Sequence, residues 1–342
     1  MDLRRIGEKG VIDKLRALAP HFHPEVVAGI GEDCGVIKID EGTLMLVTTD
    51  MLMEGVHFKL DMITPYQLGR RVLSVNLSDI AAMGGWPTYA FLSLGLTDSI
   101  AVDFLDEVIK GFHSVAKKYE VSLVGGDTIS SPYSLVIGVV ILGKSEAGKV
   151  VYRSGAQAGD IVCVTGFLGD AVAGLEMLNR NMDVPDIRDY LLKAHLDPAP
   201  QLEIGAALAK SGMIHAMIDV SDGIASDLWH ICEESNVGAK LFKELIPISE
   251  PCKKLAHILK TTPLEWALKG GEDYKLLFTV PKKHKTELKD FLQGELGEKF
   301  FEVGEIVEGN SVWLINDQGE ENISGKGFDH FAAEPGAKGA KV

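Results

Sequence analysis

The sequence predicts a two-domain α/β (α+β) protein, with a mixed-sheet N-terminal domain and a C-terminal α/β domain. Three observations support this prediction. The 342 residues are enough for two domains with separate cores. Strand-like apolar runs and helix-like segments are mixed along both halves. The polar segment 143–149 carries two glycines between apolar runs and predicts a linker. We therefore expect domains over 1–145 and 146–331.

The N-terminal half predicts five strands and two long helices. The first helix has the clearest ends, because Thr64 and Pro65 form an N-cap and first-turn proline and Gly84 a stop. The second helix, over 101–119, is amphipathic. The predicted strands are 35–39, 44–49, 88–96, 121–124 and 134–142.

The C-terminal half begins with a strand, a glycine turn and a helix start over 160–175. A helix N-terminus of this kind can hold an anion, but a lone glycine turn more often indicates an ordinary loop. The later predicted elements are a helix over 199–211, a strand over 214–219, a helix over 224–235 and a strand over 275–280. The composition of the tail 332–342 predicts disorder.

One carboxylate interrupts the apolar stripe of the first predicted helix. The stripe is Leu68, Val72, Val75, Asp79 and Met83. Burying an unpaired carboxylate costs roughly several kcal/mol, so Asp79 needs an arginine or a metal ion beside it. Arg70 and Arg71 are the nearest basic residues, but they lie about two and a half turns away and point mostly off this stripe.

Other acidic residues follow apolar runs at turns rich in Gly, Ser or Thr. They are Asp33, Asp50, Asp127, Asp219, Asp222, Glu272 and Asp273. Each alone could be a turn or helix cap. Together they suggest a shared site, and oxygen ligands without His or Cys favour Mg²⁺, above all when substrate phosphates supply further ligands. The sequence has neither a P-loop nor the protein-kinase motifs, so phosphoryl transfer would depend on metal ions and positioning.

Composition excludes several classes of function. The net charge of −15 argues against nucleic-acid binding, which needs a basic face. The four cysteines, at 34, 163, 232 and 252, follow neither a metal-site nor a disulfide pattern, which is typical of a reduced, cytoplasmic protein. We find no targeting signal and no apolar run long enough to span a bilayer, so no membrane partner is expected.

Several motifs, in order along nearly the whole chain, resemble those of the thiamine-monophosphate kinase family. They are Gly-Ile-Gly-Glu-Asp-Cys at 29–34, Thr-Thr-Asp at 48–50, Gly-Val-His-Phe at 55–58, Asn-Leu-Ser-Asp-Ile-Ala-Ala-Met-Gly at 76–84, Gly-Gly-Asp-Thr at 125–128, Ile-Asp-Val-Ser-Asp-Gly at 218–223 and Gly-Gly-Glu-Asp-Tyr at 270–274. The resemblance implies a homodimer built through the N-terminal sheets and ATP-dependent phosphorylation of thiamine monophosphate to thiamine diphosphate.

The same resemblance implies a set of site residues. The implied Mg²⁺ ligands are Asp33, Thr48, Thr49, Asp50, Asp79, Asp127, Asp219 and Asp222. The implied ATP contacts are Gly126, Asp127, Arg153 and Ser221, and the implied thiamine-phosphate contacts are His57, Glu272 and Phe328. Some of these have ordinary structural interpretations: a turn histidine for His57, a packed tail residue for Phe328 and a surface ion pair for Arg153. Gln201 and Lys275 depart from the family pattern.

Two alternatives to the kinase remain open on the sequence. One is an ATP-dependent, amidine-forming ligase of the superfamily that also contains aminoimidazole ribonucleotide synthetase. The other is a non-catalytic module that binds a nucleotide or thiamine phosphate. The long series of acids disfavours the module, because simple binding needs fewer metal sites.

Overall fold

The computed structural model describes residues 5–328 and 331, so the tail 332–342, predicted to be disordered, lies outside the described residues. Two β-sheets, one in each half of the chain, are flanked by helices, which confirms the predicted mixed α/β architecture. Within the described part of the chain, no helix has both the length and the apolar character needed to cross a membrane.

The N-terminal sheet has six strands in the order β1-β2-β3-β6-β4-β5. The strands are β1 (Val26–Ala28), β2 (Gly35–Lys38), β3 (Thr43–Met53), β4 (Trp86–Leu96), β5 (Ser122–Ser130) and β6 (Val136–Glu146). Its pairs are antiparallel except β4 with β5. The helices of this half are α1 (Gly7–Leu18), α2 (Pro65–Ala82) and α3 (Val102–Lys118). Strand β5 is at one edge and is exposed at every residue.

The C-terminal sheet has seven strands in the order β13-β12-β9-β11-β7-β10-β8. The strands are β7 (Asp160–Val164), β8 (Ala216–Asp219), β9 (Gly238–Phe242), β10 (Leu276–Pro281), β11 (Phe301–Val307), β12 (Val312–Asn316) and β13 (Gly319–Asn322). The helices are α4 (Asp170–Asn179), α5 (Pro185–Leu196), α6 (Leu202–Ser211), α7 (Ile224–Ser235), α8 (Glu250–Leu259), α9 (Pro263–Lys269) and α10 (Lys285–Leu296).

The predicted elements are present, with differences at their ends. Helix α2 begins with a complete capping box, in which Thr64 Oγ1 accepts from the Gln67 N–H and Gln67 Oε1 accepts from the Thr64 N–H. Strand β5 continues to Ser130, six residues beyond the predicted end. Strand β6 runs to Glu146, so the first part of the predicted linker 143–149 is strand, because Lys144 and Glu146 pair with neighbouring strands.

Helix α2 is the element that joins the two halves. Its buried face belongs to one continuous core that also contains Leu208 of α6 and Met217 of β8. Glycines allow the neighbouring helices to approach closely. A Cβ on Gly69 would lie 1.8 Å from the Val108 carbonyl oxygen in α3, and a Cβ on Gly205 would lie 2.1 Å from the Ala81 carbonyl oxygen.

We expect Gly69→Ala to destabilise the protein, because the added methyl group would overlap the backbone of α3. The expected loss in the free energy of unfolding is about 1–3 kcal/mol, measured as a lower urea midpoint. Gly294→Ala in α10 is the matched control. Among the described residues, apart from its chain neighbours and the nearby backbone of α10, no atom lies within 4 Å of its added Cβ, so we expect a gain of about 0.5–1 kcal/mol from helix propensity. An unchanged midpoint for Gly69→Ala would contradict the close α2–α3 contact.

Candidate functional site

Three aspartates from three different elements come together between the two sheets. Asp33 lies in the loop before β2, Asp79 near the end of α2 and Asp219 at the end of β8. One carboxylate oxygen from each lies within 4.8 Å of the other two. Asp33 and Asp219 are buried, whereas Asp79 is partly exposed. The cluster therefore joins an N-terminal loop, a helix and the C-terminal sheet.

Hydrogen bonds orient these carboxylates but leave some of their oxygen lone pairs available to a further ligand. The Thr48 hydroxyl donates to Asp79, and the Ser78 hydroxyl donates to Asp219 Oδ2 over 2.5 Å. Arg153 donates to Asp33 Oδ1 from Nε over 3.0 Å and from Nη2 over 2.5 Å. The other oxygen of Asp33, Oδ2, is buried and accepts no hydrogen bond from the described residues. That oxygen is suited to a ligand that is not part of the chain.

Burial and mutual repulsion raise the pKa values of the cluster. Burial, and to a smaller extent the negative charge of Asp33, raises the pKa of Asp50 to about 6 and that of Asp219 to about 7. Burial raises the pKa of Asp79 well above its usual range, and the neighbouring carboxylates raise it further. Burial also raises the pKa of Asp33, although Arg153 opposes that shift. One guanidinium cannot neutralise four carboxylates, and an all-oxygen donor set fits Mg²⁺.

Strand β3 presents its three predicted ligands on two faces. Thr48 and Asp50 share the inward face, and the Asp50 N–H donates to Asn76 Oδ1 of α2 over 3.0 Å. The Thr49 side chain is on the other face, which is exposed and also carries Met51. Its role as a ligand therefore stays a prediction.

A single chain does not bring Asp127 to the aspartate cluster. In the sheet register, Asp50 pairs with Val139, Val139 with Leu92, and Leu92 with Gly126. Three strand spacings separate β3 from β5, which is about 14 Å. The glycine at 126 has a packing reason of its own, since a Cβ there would lie 1.7 Å from the Leu92 carbonyl oxygen. The ligand role of Asp127 and the ATP contact of Gly126 also stay predictions.

A fifth carboxylate, Asp227 of α7, lies beside the cluster and was missed in the sequence. Its Oδ2 accepts a hydrogen bond from the Asp222 N–H over 3.3 Å. Burial raises the pKa of Asp227, and the negative charges of Asp222 and Asp219 raise it further. Asp227 interrupts an apolar helical run, which is the same signal that identified Asp79. The predicted thiamine contact Phe328 is next to this turn, where its N–H donates to the Asp222 carbonyl over 3.1 Å.

A second polar cluster is centred on Arg71, whose side chain is only 1% exposed. Arg71 forms an ion pair with Glu272, and its other terminal nitrogen, Nη1, donates to the His195 carbonyl. His195 Nδ1 lies 3.3 Å from Glu272 Oε2. Burial alone would raise the pKa of Glu272, but Arg71 and His195 lower it to about 2. Arg71 does not pair with Asp79, as expected, but its burial and its distant partners were not foreseen.

The neighbours of these residues have structural roles. Arg71 Nη2 lies 3.4 Å from the carbonyl oxygen of His57, and the His57 Nδ1 accepts from the Met53 N–H over 2.9 Å. This hydrogen bond stabilises the turn after β3, and the contact of His57 with thiamine phosphate stays a prediction. Arg70 is partly buried and pairs with Asp197 at the end of α5 over 2.8 Å.

The loop 270–274 is hydrogen-bonded to the segment that carries Asp219 and Asp222. The Glu272 N–H donates to the Ser221 carbonyl over 2.8 Å, and the Tyr274 N–H donates to the Val220 carbonyl over 2.9 Å. A side chain at Gly271 would collide with the Ser221 carbonyl, since its Cβ would lie 1.9 Å away. This backbone contact joins the two polar clusters.

The carboxylate of Asp273 occupies the N-terminus of α4. It accepts from the Gly169 N–H over 2.6 Å and from the Ala171 N–H over 3.2 Å, and burial raises its pKa to about 7. The glycine turn before α4 is therefore satisfied within the chain, as an ordinary loop would be. The departures from the family pattern lie elsewhere: Gln201 Nε2 donates to the Ala199 carbonyl, and the Lys275 stem packs on Gly166.

Comparison with known proteins gives one consistent result. Residues 31–145 match the N-terminal domain model, and residues 157–315 the C-terminal domain model, of AIR synthase related proteins. The chain is 39% identical over 313 residues to the thiamine-monophosphate kinase of Escherichia coli (strain K12), covering 90% of this chain and 93% of that protein. It is 34% identical over 326 residues to the thiamine-monophosphate kinase of Bacillus subtilis (strain 168), covering 93% and 98%. A solved structure of AaThiL complexed with AMPPCP and TMP superposes with a TM-score of 0.84 at 32% identity, covering 96% of this chain and 99% of that one.

The aspartate cluster predicts an unusual dependence of stability on pH. Folded pKa values of about 6 for Asp50 and about 7 for Asp219 lie above the ordinary range, so the folded state binds protons more tightly than the unfolded state. The extra stability that these bound protons give the folded state is present at low pH and is lost as pH rises through those values. In EDTA, we expect the melting temperature to fall between about pH 4, near the unfolded pKa of Asp, and about pH 7. Added Mg²⁺ should raise it, most strongly at the upper end.

Asp79→Asn is the matched variant for this measurement. It removes one partly buried carboxylate without changing the shape of the side chain. We expect it to raise the melting temperature in EDTA at about pH 8 and to reduce the gain from Mg²⁺. An equal Mg²⁺ gain in both proteins would mean that Asp79 is not part of the cation site.

Proposed function

The chain belongs to the thiamine-monophosphate kinase family, and we propose that it transfers the γ-phosphoryl group of ATP to the phosphate of thiamine monophosphate. The products are ADP and thiamine diphosphate. The observation that carries this proposal is the cluster of Asp33, Asp79 and Asp219, which joins oxygen ligands from both halves of the chain. The binding of AMPPCP and TMP by the solved relative supports the same pair of substrates.

The proposed reaction needs no general base. The attacking group is an oxygen of the acceptor phosphate, which is already anionic, so the chain has no proton to remove. Mg²⁺, when bound, supplies positive charge that reduces the repulsion between the two phosphate groups. The residues proposed to hold several Mg²⁺ ions are Asp33, Thr48, Thr49, Asp50, Asp79, Asp127, Asp219 and Asp222.

The substrates are proposed to bind on either side of this cluster. For ATP, the proposed contacts are Gly126, Asp127, Ser221 and Arg153, whose guanidinium is a fixed charge beside the phosphate position. For thiamine phosphate, the proposed contacts are His57, Glu272 and Phe328. A carboxylate suits the amino group of the pyrimidine ring, and an aromatic face suits the cationic thiazolium. The hydrogen bond from Glu272 to the Ser221 carbonyl would fix the distance between the two sides.

We propose the same domain limits as the sequence predicts. Residues 1–145 would bind Mg²⁺ and ATP and form the dimer, and residues 146–331 would complete the site. We also propose a cytoplasmic location. Its support is that the four cysteines are all buried and unpaired, as in proteins of a reducing compartment.

We propose a homodimer that forms through the outer face of the N-terminal sheet. This face exposes apolar side chains that a second copy would cover, among them Met51, Phe91 and Ile129. Asp127 belongs to the same face, because its partner in the register, Ser93, alternates with the inward residues of β4. Asp127 would then lie at the subunit interface, and we propose that it acts at the site of the partner subunit.

The direct test of the proposed activity is an assay with ATP, thiamine monophosphate and Mg²⁺, in which thiamine diphosphate and ADP are both quantified. We expect equal amounts of the two products. Asp79→Asn should lower kcat by more than about 100-fold, since it removes a ligand that acts on the reacting phosphates. Asp106→Asn, the same change on the exposed surface of α3, should leave turnover unchanged.

The alternatives predict different results in that assay. A ligase of the same superfamily would give no thiamine diphosphate, although it would release ADP with a ribonucleotide substrate. A binding module would bind Mg²⁺-ATP in calorimetry without releasing ADP. Full turnover by Asp79→Asn would also refute the role assigned to the aspartate cluster.

The shared site of the proposed dimer can be tested by mixing two inactive variants. Asp79→Asn and Asp127→Asn should each be inactive alone. In a mixed dimer, one of the two sites would contain Asp79 and Asp127 in their native form. Random mixing should then restore about a quarter of the wild-type activity. No recovery, with mixed dimers demonstrated by two affinity tags, would mean that Asp127 does not act across the interface.

A further inference from the structure

Arg71 and His195 lie behind Glu272, the proposed acceptor contact, and have no role of their own in the phosphoryl transfer. We propose that Arg71 and His195 are positioning residues of the acceptor site, which hold the Glu272 carboxylate in one orientation toward the amino-bearing ring of the acceptor. This inference rests on the proposed kinase function. It concerns the residues behind the contact rather than the contact itself.

Both carboxylate oxygens of Glu272 face a residue of this cluster, although the buried Nδ1 of His195 makes no hydrogen bond within the described residues. Oε1 pairs with Arg71, and Oε2 lies 3.3 Å from His195 Nδ1. The side chain nevertheless keeps 31% of its surface exposed, so lone pairs remain open to a ligand. The backbone of Glu272 has φ of +64°, which is an unfavourable conformation for a residue with a side chain. A residue held in this way has few alternative orientations.

Arg71 is itself fixed by neutral groups. Its Nη1 donates to the His195 carbonyl, and its Nη2 lies within reach of the His57 carbonyl. Because the guanidinium is planar, these two carbonyls determine the plane from which it meets Glu272. Burial lowers the pKa of His195, which favours its uncharged ring, and Nδ1 of that ring lies 3.3 Å from Glu272 Oε2. The cluster therefore has one positive and one negative charge.

Helix α2 connects this cluster to the aspartate cluster. Arg71 and Asp79 are eight residues apart on one helix, a rise of about 12 Å. The helix is anchored by its capping box and by close contacts with α3 and α6. The Glu272 carboxylate and the metal-binding carboxylates are thus held at a fixed separation. An elongated acceptor with a phosphate at one end and an amino-bearing ring at the other fits this arrangement.

The test measures KM for thiamine monophosphate and for ATP separately. Arg71→Met should raise the acceptor KM by at least about tenfold and leave the ATP KM within about twofold of wild type. Arg70→Met is the matched control, because Arg70 also joins α2 to the C-terminal half through Asp197 but does not contact Glu272. It should change neither KM. If the two variants changed both KM values equally, Arg71 would only connect the two halves of the chain, and the proposal would be overturned.

His195 is tested by two variants that differ in one donor. The amide nitrogen of His195→Asn can replace the Nδ1 donor, whereas His195→Leu cannot. The acceptor KM should therefore be close to wild type for Asn and raised about three- to tenfold for Leu. These variants also serve if Arg71→Met does not fold. The same acceptor KM for Asn and Leu would exclude a positioning role for His195.

A double-mutant cycle separates positioning from folding. In a Glu272→Gln background, His195→Leu should have little further effect on the acceptor KM, because the group that it positions is already neutral.

The pH profile is a second readout. The ionisable groups that face Glu272 are Arg71 from α2, His195 from α5 and Tyr274 from its own loop. With Arg71 replaced, the acceptor KM should rise as pH falls, since Glu272 loses the charge that keeps it ionised. A flat profile or additive effects would overturn the proposal.

A failure of the positioning proposal can be told apart from a failure of the proposed kinase function. If the wild-type protein makes no thiamine diphosphate, the kinase proposal is wrong. If the wild-type protein is active and the Arg71 and His195 variants keep the wild-type acceptor KM, only the positioning proposal is wrong.

Discussion

The repulsion among buried and partly buried carboxylates is the constraint on which the rest of this structure depends. Asp33, Asp79 and Asp219 come from elements far apart in the chain, yet their oxygens lie within 4.8 Å of one another. Hydrogen bonds from Thr48 and Ser78 offset this repulsion only in part. The hydrophobic core around α2 must supply the remaining free energy that keeps the two halves together. The site thus lowers the stability of the protein until cations neutralise it.

The two polar clusters solve the problem of buried charge in different ways. Around Glu272 the compensating charge is Arg71, which is permanent and belongs to the chain. Around Asp79 the compensating charge must come from outside, because Arg153 is the nearby guanidinium and is already paired with Asp33. A permanent counter-charge suits a pocket that binds one end of a substrate in every cycle. Exchangeable counter-charges suit a centre where the charge of the phosphates changes during the reaction.

Local sequence patterns predicted those features that a single element determines. The helical period identified Asp79 as an acid on an apolar stripe, and the same reasoning could have found Asp227. Contacts between distant elements have no such signal. The partner of Arg71 is 201 residues away, and helical geometry could say only that Arg71 lies off the Asp79 stripe. Strand β5 was predicted too short because glycines 125 and 126 resemble a turn, although in the sheet they allow close pairing with β4.

The overall charge of the chain affects how it can bind phosphates. With a net charge of −15, the protein repels polyphosphates at long range. Arg153 alone cannot reverse this locally, because both hydrogen bonds that its guanidinium makes to a side chain go to Asp33. Bound cations would reverse the sign of the potential where the phosphates must lie. Acidity that would exclude ATP on its own therefore makes nucleotide binding conditional on the metal ions that the reaction needs.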